Sequence, residues 1–220
     1  MGTTGNRGVM TMNKTAIRSQ IYTVFAQVFT YPQDDMVTML LSGELETELR
    51  QIASELPYRC KLNHEQAQDE SQITAGLSAD ESLSVLYSSK FEVGNPPVSL
   101  HEGAYSTQER KKLLEDLFRF YEHFGLNFEN QKLANTPDWL ICELEFMHYL
   151  VFLETSIIDS EKQAALQRAQ YDFLDLHLSK WLGALVKSLK AQKIEIYHRF
   201  CELLDDFTAA EKQYLAKFCA

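Results

Sequence analysis

The sequence predicts an all-α fold, a single globular helical bundle, and three observations carry that expectation. Beyond Pro137 the chain has no further proline and one glycine, Gly183, so its last part lacks the residues that punctuate short strands and tight turns. Apolar residues recur at helical spacing from the start, as in Ile17, Ile21, Val24, Phe25 and Val28. With 45% hydrophobic and 24% charged residues in 220, the composition is that of one globular domain large enough to bury a core.

Residues 1–12, with Gly2, Gly5 and Gly8 among Thr and Asn, read as a disordered tail, and 13–220 as the helical domain. Asn13 caps a first helix that ends before Pro32, because the residue preceding proline disfavours the α region. Two helices follow, over about 33–41 and 44–56, divided by Ser42-Gly43 and stopped by Pro57. The stretch 58–76 is ambiguous. Ser78 and Glu81 have capping-box spacing ahead of a helix reaching Phe91, and Gly94-Asn95-Pro96-Pro97 breaks the chain before a polar loop, 98–105. Ser106 and Glu109 repeat the capping spacing before a helix closed by Gly125. Thr136 as N-cap, with Pro137 at the first helical position, starts the next, where Asp138 sits by the helix amides, ionised and near the surface. A helix from Ser160 continues, with room for a bend, to Lys190. Two more are expected at about 193–204 and, capped by Thr208 with Glu211, at 209–218.

The balance of 31 acidic to 21 basic residues, net −10, disfavours nucleic acid and anionic lipid and suits a basic partner. No run of 18 apolar residues occurs, so no membrane insertion is expected, and four widely spaced cysteines without a CxxC pair fit a reducing cytoplasm. Phosphate-loop, dinucleotide and nucleophile-elbow motifs are absent from the sequence.

Between Trp139 and Leu153 most of the helical wheel is apolar, and Glu143 falls inside the apolar arc. A carboxylate there must be paired, hydrogen-bonded or protonated, which makes it either a core acceptor or a functional group. Glu145 and His148 share the remaining arc. Their Glu-x-x-His spacing recurs at Glu195 and His198, which raises a ferritin-like di-iron site, completed by acids such as Glu115 and Glu122, as the alternative reading. The wheel of 194–204 places His198 with Glu195, Arg199 and Glu202 on a solvent arc, against that alternative. His177 reads as a satisfied histidine at the rim of an apolar face, and His64 and His123 as solvated.

The segment Thr136-Pro-Asp-Trp-Leu-Ile-Cys-Glu-Leu-Glu-Phe-Met147 resembles the Pro-Asp-His-Leu-x-x-Glu-Leu-x-Phe-Met signature of the TorD, DmsD and NarJ family of molybdoenzyme maturation chaperones. Val98-Ser-Leu-His-Glu-Gly-Ala-Tyr105, Tyr121-Glu-His-Phe-Gly125 and Phe173-Leu-Asp-Leu-His-Leu-Ser-Lys-Trp181 are similar to flanking family segments, in the same order. The His101-to-Tyr105 phrase looks closest to the branch serving dimethylsulfide, ethylbenzene, selenate and chlorate converting enzymes. The resemblance implies a TorD-like bundle without catalytic activity, cofactor or metal. It implies binding to an apo-molybdoenzyme catalytic subunit, including its twin-arginine signal peptide, until the molybdenum cofactor is inserted. Either a monomer or a helix-exchanged dimer is compatible with it. Carried onto this chain, it implies client-binding residues Pro137, Asp138, Glu143, His101, Glu102, Tyr105, His177 and Trp181, over core residues Leu140, Phe146 and Met147. Trp139 stands where the family usually has histidine, and an indole there can stack on an arginine or fill an apolar subsite.

Overall fold

The computed structural model describes residues 13–64, 82–126 and 136–219, and in these the secondary structure is helical apart from one isolated β-bridge. Ten α-helices are described: α1 (Lys14–Val28), α2 (Asp34–Ser42), α3 (Glu44–Ala53), α4 (Lys61–His64), α5 (Leu83–Tyr87), α6 (Arg110–His123), α7 (Leu140–Ser156), α8 (Ser160–Phe173), α9 (Ser179–Ala191) and α10 (Glu195–Ala216). Their buried faces share one continuous hydrophobic core. The expected disordered tail, and the Ser78–Glu81 capping pair, lie outside the described residues.

α7 is the axis of the molecule, as its nearly all-apolar wheel anticipates. Ten of its seventeen residues are buried, against eight of fifteen in α1, which packs along it. Leu140, Phe146 and Met147 are among them, as expected of core positions. Asn13 caps α1 as read, its side chain accepting from the Thr15 amide at 3.1 Å.

Several helix starts differ from the capping signals. α5 begins at Leu83 with Ser82 as its cap. Ser106 accepts instead from the Gln108 amide in a turn, and α6 starts after Glu109. Thr136-Pro137-Asp138 forms a turn before α7, whose N-cap is Trp139, because the backbone here pairs with a second loop and cannot be helical. The two helices expected over 193–218 are one, α10; Thr208 bonds back to the Asp205 carbonyl, and Glu211 is drawn into the core by a distant charge.

That charge is Arg18. It is 1% exposed on α1, and its guanidinium donates to Glu154 of α7 at 2.9 Å and to Glu211 of α10 and Gln170 of α8. Gln167 and Gln170 also donate to Glu154, at 2.8 and 2.9 Å, and the Tyr58 hydroxyl donates to Glu211. Burial works against the Arg18 charge, but Glu211 and Glu154 outweigh it and hold the group protonated. Four helices are thereby tied at one buried, satisfied knot.

The expected bend in the 160–190 helix is a widened π turn, Leu174–Leu178, between α8 and α9. Buried residues there recur every fourth position, at Phe173, His177, Trp181, Leu185 and Leu189. A strict α-helix drifts about 40° at each such step, and the π turn absorbs part of the drift. His177, expected at a rim, is consequently 3% exposed. His198 does not face solvent as its wheel suggested: its ring is 11% exposed, with Nε2 buried 3.7 Å from Glu202. Among the described residues, no group of three or more His, Cys, Asp or Glu side chains is placed to hold a metal ion, and no helix is long and apolar enough to cross a membrane.

Candidate functional site

Two irregular segments meet beside the start of α7. The His101–Trp139 bridge is flanked by backbone bonds from Glu102 N to Asp138 O and from Leu140 N to Leu100 O, both 2.8 Å. Residues 98–105 therefore lie along 136–140 as a short antiparallel pair. The Tyr121 hydroxyl of α6 donates to the Pro137 carbonyl at 2.8 Å and fixes the turn from beneath.

Asp138 is fully buried, not near the surface, because it is the peg of this pair and no part of a helix. Its Oδ1 accepts from the Thr136 hydroxyl at 2.5 Å and lies 3.4 Å from His101 Nδ1; its Oδ2 faces the Gly103 amide at 3.3 Å and the Arg110 guanidinium at 3.8 Å. Burial opposes ionisation, yet the bonds from His101 and Thr136 and the charges of His101 and Arg110 prevail and hold the carboxyl down at about 2. A Cβ on residue 103 would stand 2.9 Å from Asp138 Oδ2, so the close approach requires Gly103.

Beneath this pair lies a second set of groups. Glu102, 3% exposed, meets His177 of the π turn at 3.1 Å, with the imidazole packed against Phe120 and Phe173. Trp181 donates its indole N–H to Glu143 Oε2 at 3.1 Å, and the Tyr105 ring stacks over Trp181 with centroids 5.6 Å apart. Glu143 Oε1 has no hydrogen-bond partner among the described residues. Burial first, then the nearby Glu102 and Asp138 charges, push the Glu143 carboxyl well above the usual carboxylate range, with the Trp181 bond opposing. Glu143 is thus a buried acid pushed toward its neutral form, with two further carboxyl groups nearby.

All nine client-binding residues expected from the sequence fall in this region, in two layers. His101, Tyr105 and Trp139 are partly exposed, while Pro137, Asp138, Glu102, His177, Glu143 and Trp181 are buried under them. Sequence reasoning missed Gly103 and Arg110 here, and it missed Arg18 altogether. The argument that singled out Glu143, a charge on an apolar helical face, applies equally to Arg18 between Ile17 and Ile21.

The family model described as nitrate reductase delta subunit matches residues 41–187. Among curated proteins the chain is 31% identical over 186 residues to the perchlorate reductase assembly chaperone protein of Dechloromonas aromatica (strain RCB), covering 82% of this chain and 81% of that one. It is 32% identical over 141 residues to the selenate reductase assembly chaperone protein of Thauera selenatis, with 62% and 72% covered. To the chlorate reductase assembly chaperone protein of Ideonella dechloratans it is 36% identical over 115 residues, with 50% and 59% covered. By the extent of these matches, the chain belongs to the nitrate reductase delta subunit family, the TorD- and NarJ-type redox enzyme maturation proteins.

Proposed function

We propose that this protein is an assembly chaperone, not an enzyme, which binds the apo form of a molybdoenzyme catalytic subunit together with its twin-arginine signal peptide and holds it for molybdenum cofactor insertion. The observation that carries the reading is the paired loop 98–105 and turn 136–140, which sets Trp139, Tyr105 and His101 at the surface on a fully braced base. The names of the relatives support a reductase subunit as the client.

In this reading the two layers have different work. Trp139 and Tyr105 offer flat apolar faces to the client, and the indole can stack on a guanidinium. His101 supplies a polar edge. Asp138, Glu102 and His177 act as positioning residues: they peg the loop, through Gly103 and the π turn, so that the aromatic pair is pre-organised and binding does not have to order it. Glu143 and Trp181 support Tyr105 from below.

The test is maturation in a strain lacking the chromosomal copy, read as cofactor-loaded client, after the client has been identified by co-purification from the native host. Trp139→Ala is expected to lower loaded enzyme severalfold while the helical circular-dichroism spectrum is retained. Wild-type maturation by Trp139→Ala would remove the paired segment from the contact. Calorimetry with the client's signal peptide should show weaker binding when both arginines are glutamine, and a smaller difference at high salt. Equal affinities at low salt would remove the electrostatic part.

A further inference from the structure

The exposed stripe of α7 lies on the side opposite Glu143. At about 100° per residue, Glu145 is about 200° around the helix from Glu143, so the two cannot serve one site. Glu145, His148 and Phe152 run along this stripe, and with Thr23, Ala26, Gln27 and Thr30 of α1 the first two line a groove of about 330 Å³. His148 is held in place: the Ser19 and Thr23 hydroxyls lie 2.8 and 2.9 Å from its Nδ1. Phe152, 55% exposed, lies beside it with ring centroids 6.2 Å apart and the planes inclined by 30°. Glu145 makes no ion pair or hydrogen bond among the described residues, although Leu144 and Phe146 on either side of it are buried. Burial raises its carboxyl, with the His148 charge opposing.

Glu145 is the groove's carboxylate and is left without a hydrogen bond among the described residues, the walls carry hydroxyl and amide oxygens, and the exposed Phe152 ring stands next to the groove, beyond His148. A planar guanidinium matches this set better than an ammonium, since it accepts the carboxylate with a fork of N–H donors while stacking on flat rings. Phe152 lies four to seven positions from His148 and Glu145, roughly 6–10 Å along the axis, which two to three extended residues span. We infer that the α1–α7 groove is a second client contact, taking an extended peptide segment in which an arginine enters beside Glu145 and His148 and an apolar residue two or three positions away covers Phe152. This rests on the reading of the protein as a chaperone of another chain, and adds to it a contact on the far side of α7 from the paired segment.

The probe is the blocked hexapeptide Gly-Arg-Gly-Ser-Leu-Gly, titrated into the full-length isotope-labelled protein and followed by amide chemical shifts. Saturable binding is expected, with shifts on 19–30 and 145–152. Glu145→Gln should weaken it about tenfold, as removal of one charged hydrogen-bond partner does, and a lysine version of the peptide severalfold. Phe152→Ser should weaken the hexapeptide but leave a version with serine in place of leucine unaffected. Trp139→Ala, which alters the paired segment, should leave the shifts on 19–30 and 145–152 in place. Absence of saturation, or equal affinity for Glu145→Gln, overturns the inference. Binding lost in Trp139→Ala but kept in Glu145→Gln also overturns it, while leaving the proposed function standing. Both exchanged side chains are exposed, so an unchanged melting temperature is expected and checks that the fold is intact.

Discussion

Glu143 and Glu154 stand on the same helix, eleven positions and so about three turns apart, and face nearly the same direction. Both are buried, yet their surroundings differ. Glu154 meets Arg18 and two glutamine amides, so each carboxylate oxygen is bonded and the charge is matched. Glu143 has one indole N–H, a bare second oxygen, and two further carboxylates nearby. The first arrangement closes the bundle. The second buries an acid with one oxygen unbonded and its carboxyl pushed toward the neutral form, at an energetic cost that packing elsewhere must offset, and this is the pattern expected of a site that has to open or accept something.

The largest test of this contrast is Arg18→Met. It removes one partner of a buried knot and leaves Glu154 and Glu211 facing each other's charge, so urea unfolding should show a loss of about 3–5 kcal/mol at neutral pH. A loss under about 1 kcal/mol would mean that the knot is not the closure of the fold.

Glu143→Gln should behave in the opposite way. A group whose folded pKa lies above its unfolded value has its full stabilising effect below the unfolded pKa, and loses it as pH rises toward the folded pKa. Glu143 is such a group, so the wild type should lose stability relative to Glu143→Gln from about pH 4.5 upward, by at most about 1.4 kcal/mol per pH unit. Parallel denaturation of both proteins between pH 5 and 8 reads the difference directly. Parallel curves would show that Glu143 ionises normally and that the two regions are alike.

Asp138 has the reverse linkage. Its folded pKa, about 2, lies below the ordinary 3.8, so its contribution is present above the unfolded value and is lost as pH falls through about 2. Asp138→Asn should cost on the order of 1–2 kcal/mol at neutral pH, a difference that shrinks in acid, and should lower client maturation by loosening the Gly103 turn. This departs from the expectation of an Asp138 near the surface. The residue is buried because the 136–140 backbone is paired with another loop, a contact between segments far apart in sequence that helix-capping signals cannot report.

The same distinction separates what was legible from what was not. Periodicity located α1, α6 and α7 and placed Glu143 inside, because those are properties of one helix. The motif resemblance pointed to both halves of the paired segment, naming His101, Glu102, Tyr105 and Pro137 to Trp139, without singling out Gly103. What periodicity could not supply were partners: Arg18 reads as an interruption of an apolar face until Glu154 and Glu211 are seen around it. His198 looks solvated on its own wheel until neighbouring helices cover it. Thr208 and Glu211 look like a helix start because nothing local says that Glu211 is held from 193 positions away.

The smallest expected effect belongs to Arg110, and it decides which side of the loop holds Asp138. Arg110 Nη2 lies 3.8 Å from Asp138 Oδ2, but the arginine is 61% exposed and its charge is screened by water. Exposed pairs of this kind contribute little, so Arg110→Gln should change unfolding stability by no more than about 0.5 kcal/mol. The acid limb assigned to Asp138 should survive in this variant, because the His101 and Thr136 contacts that hold the carboxyl remain. Comparing the pH dependence of Arg110→Gln with that of Asp138→Asn separates the two sources. If Arg110→Gln costs as much as Asp138→Asn, the carboxylate is held from the solvent side, and the loop is fastened by a surface charge and not by its buried peg.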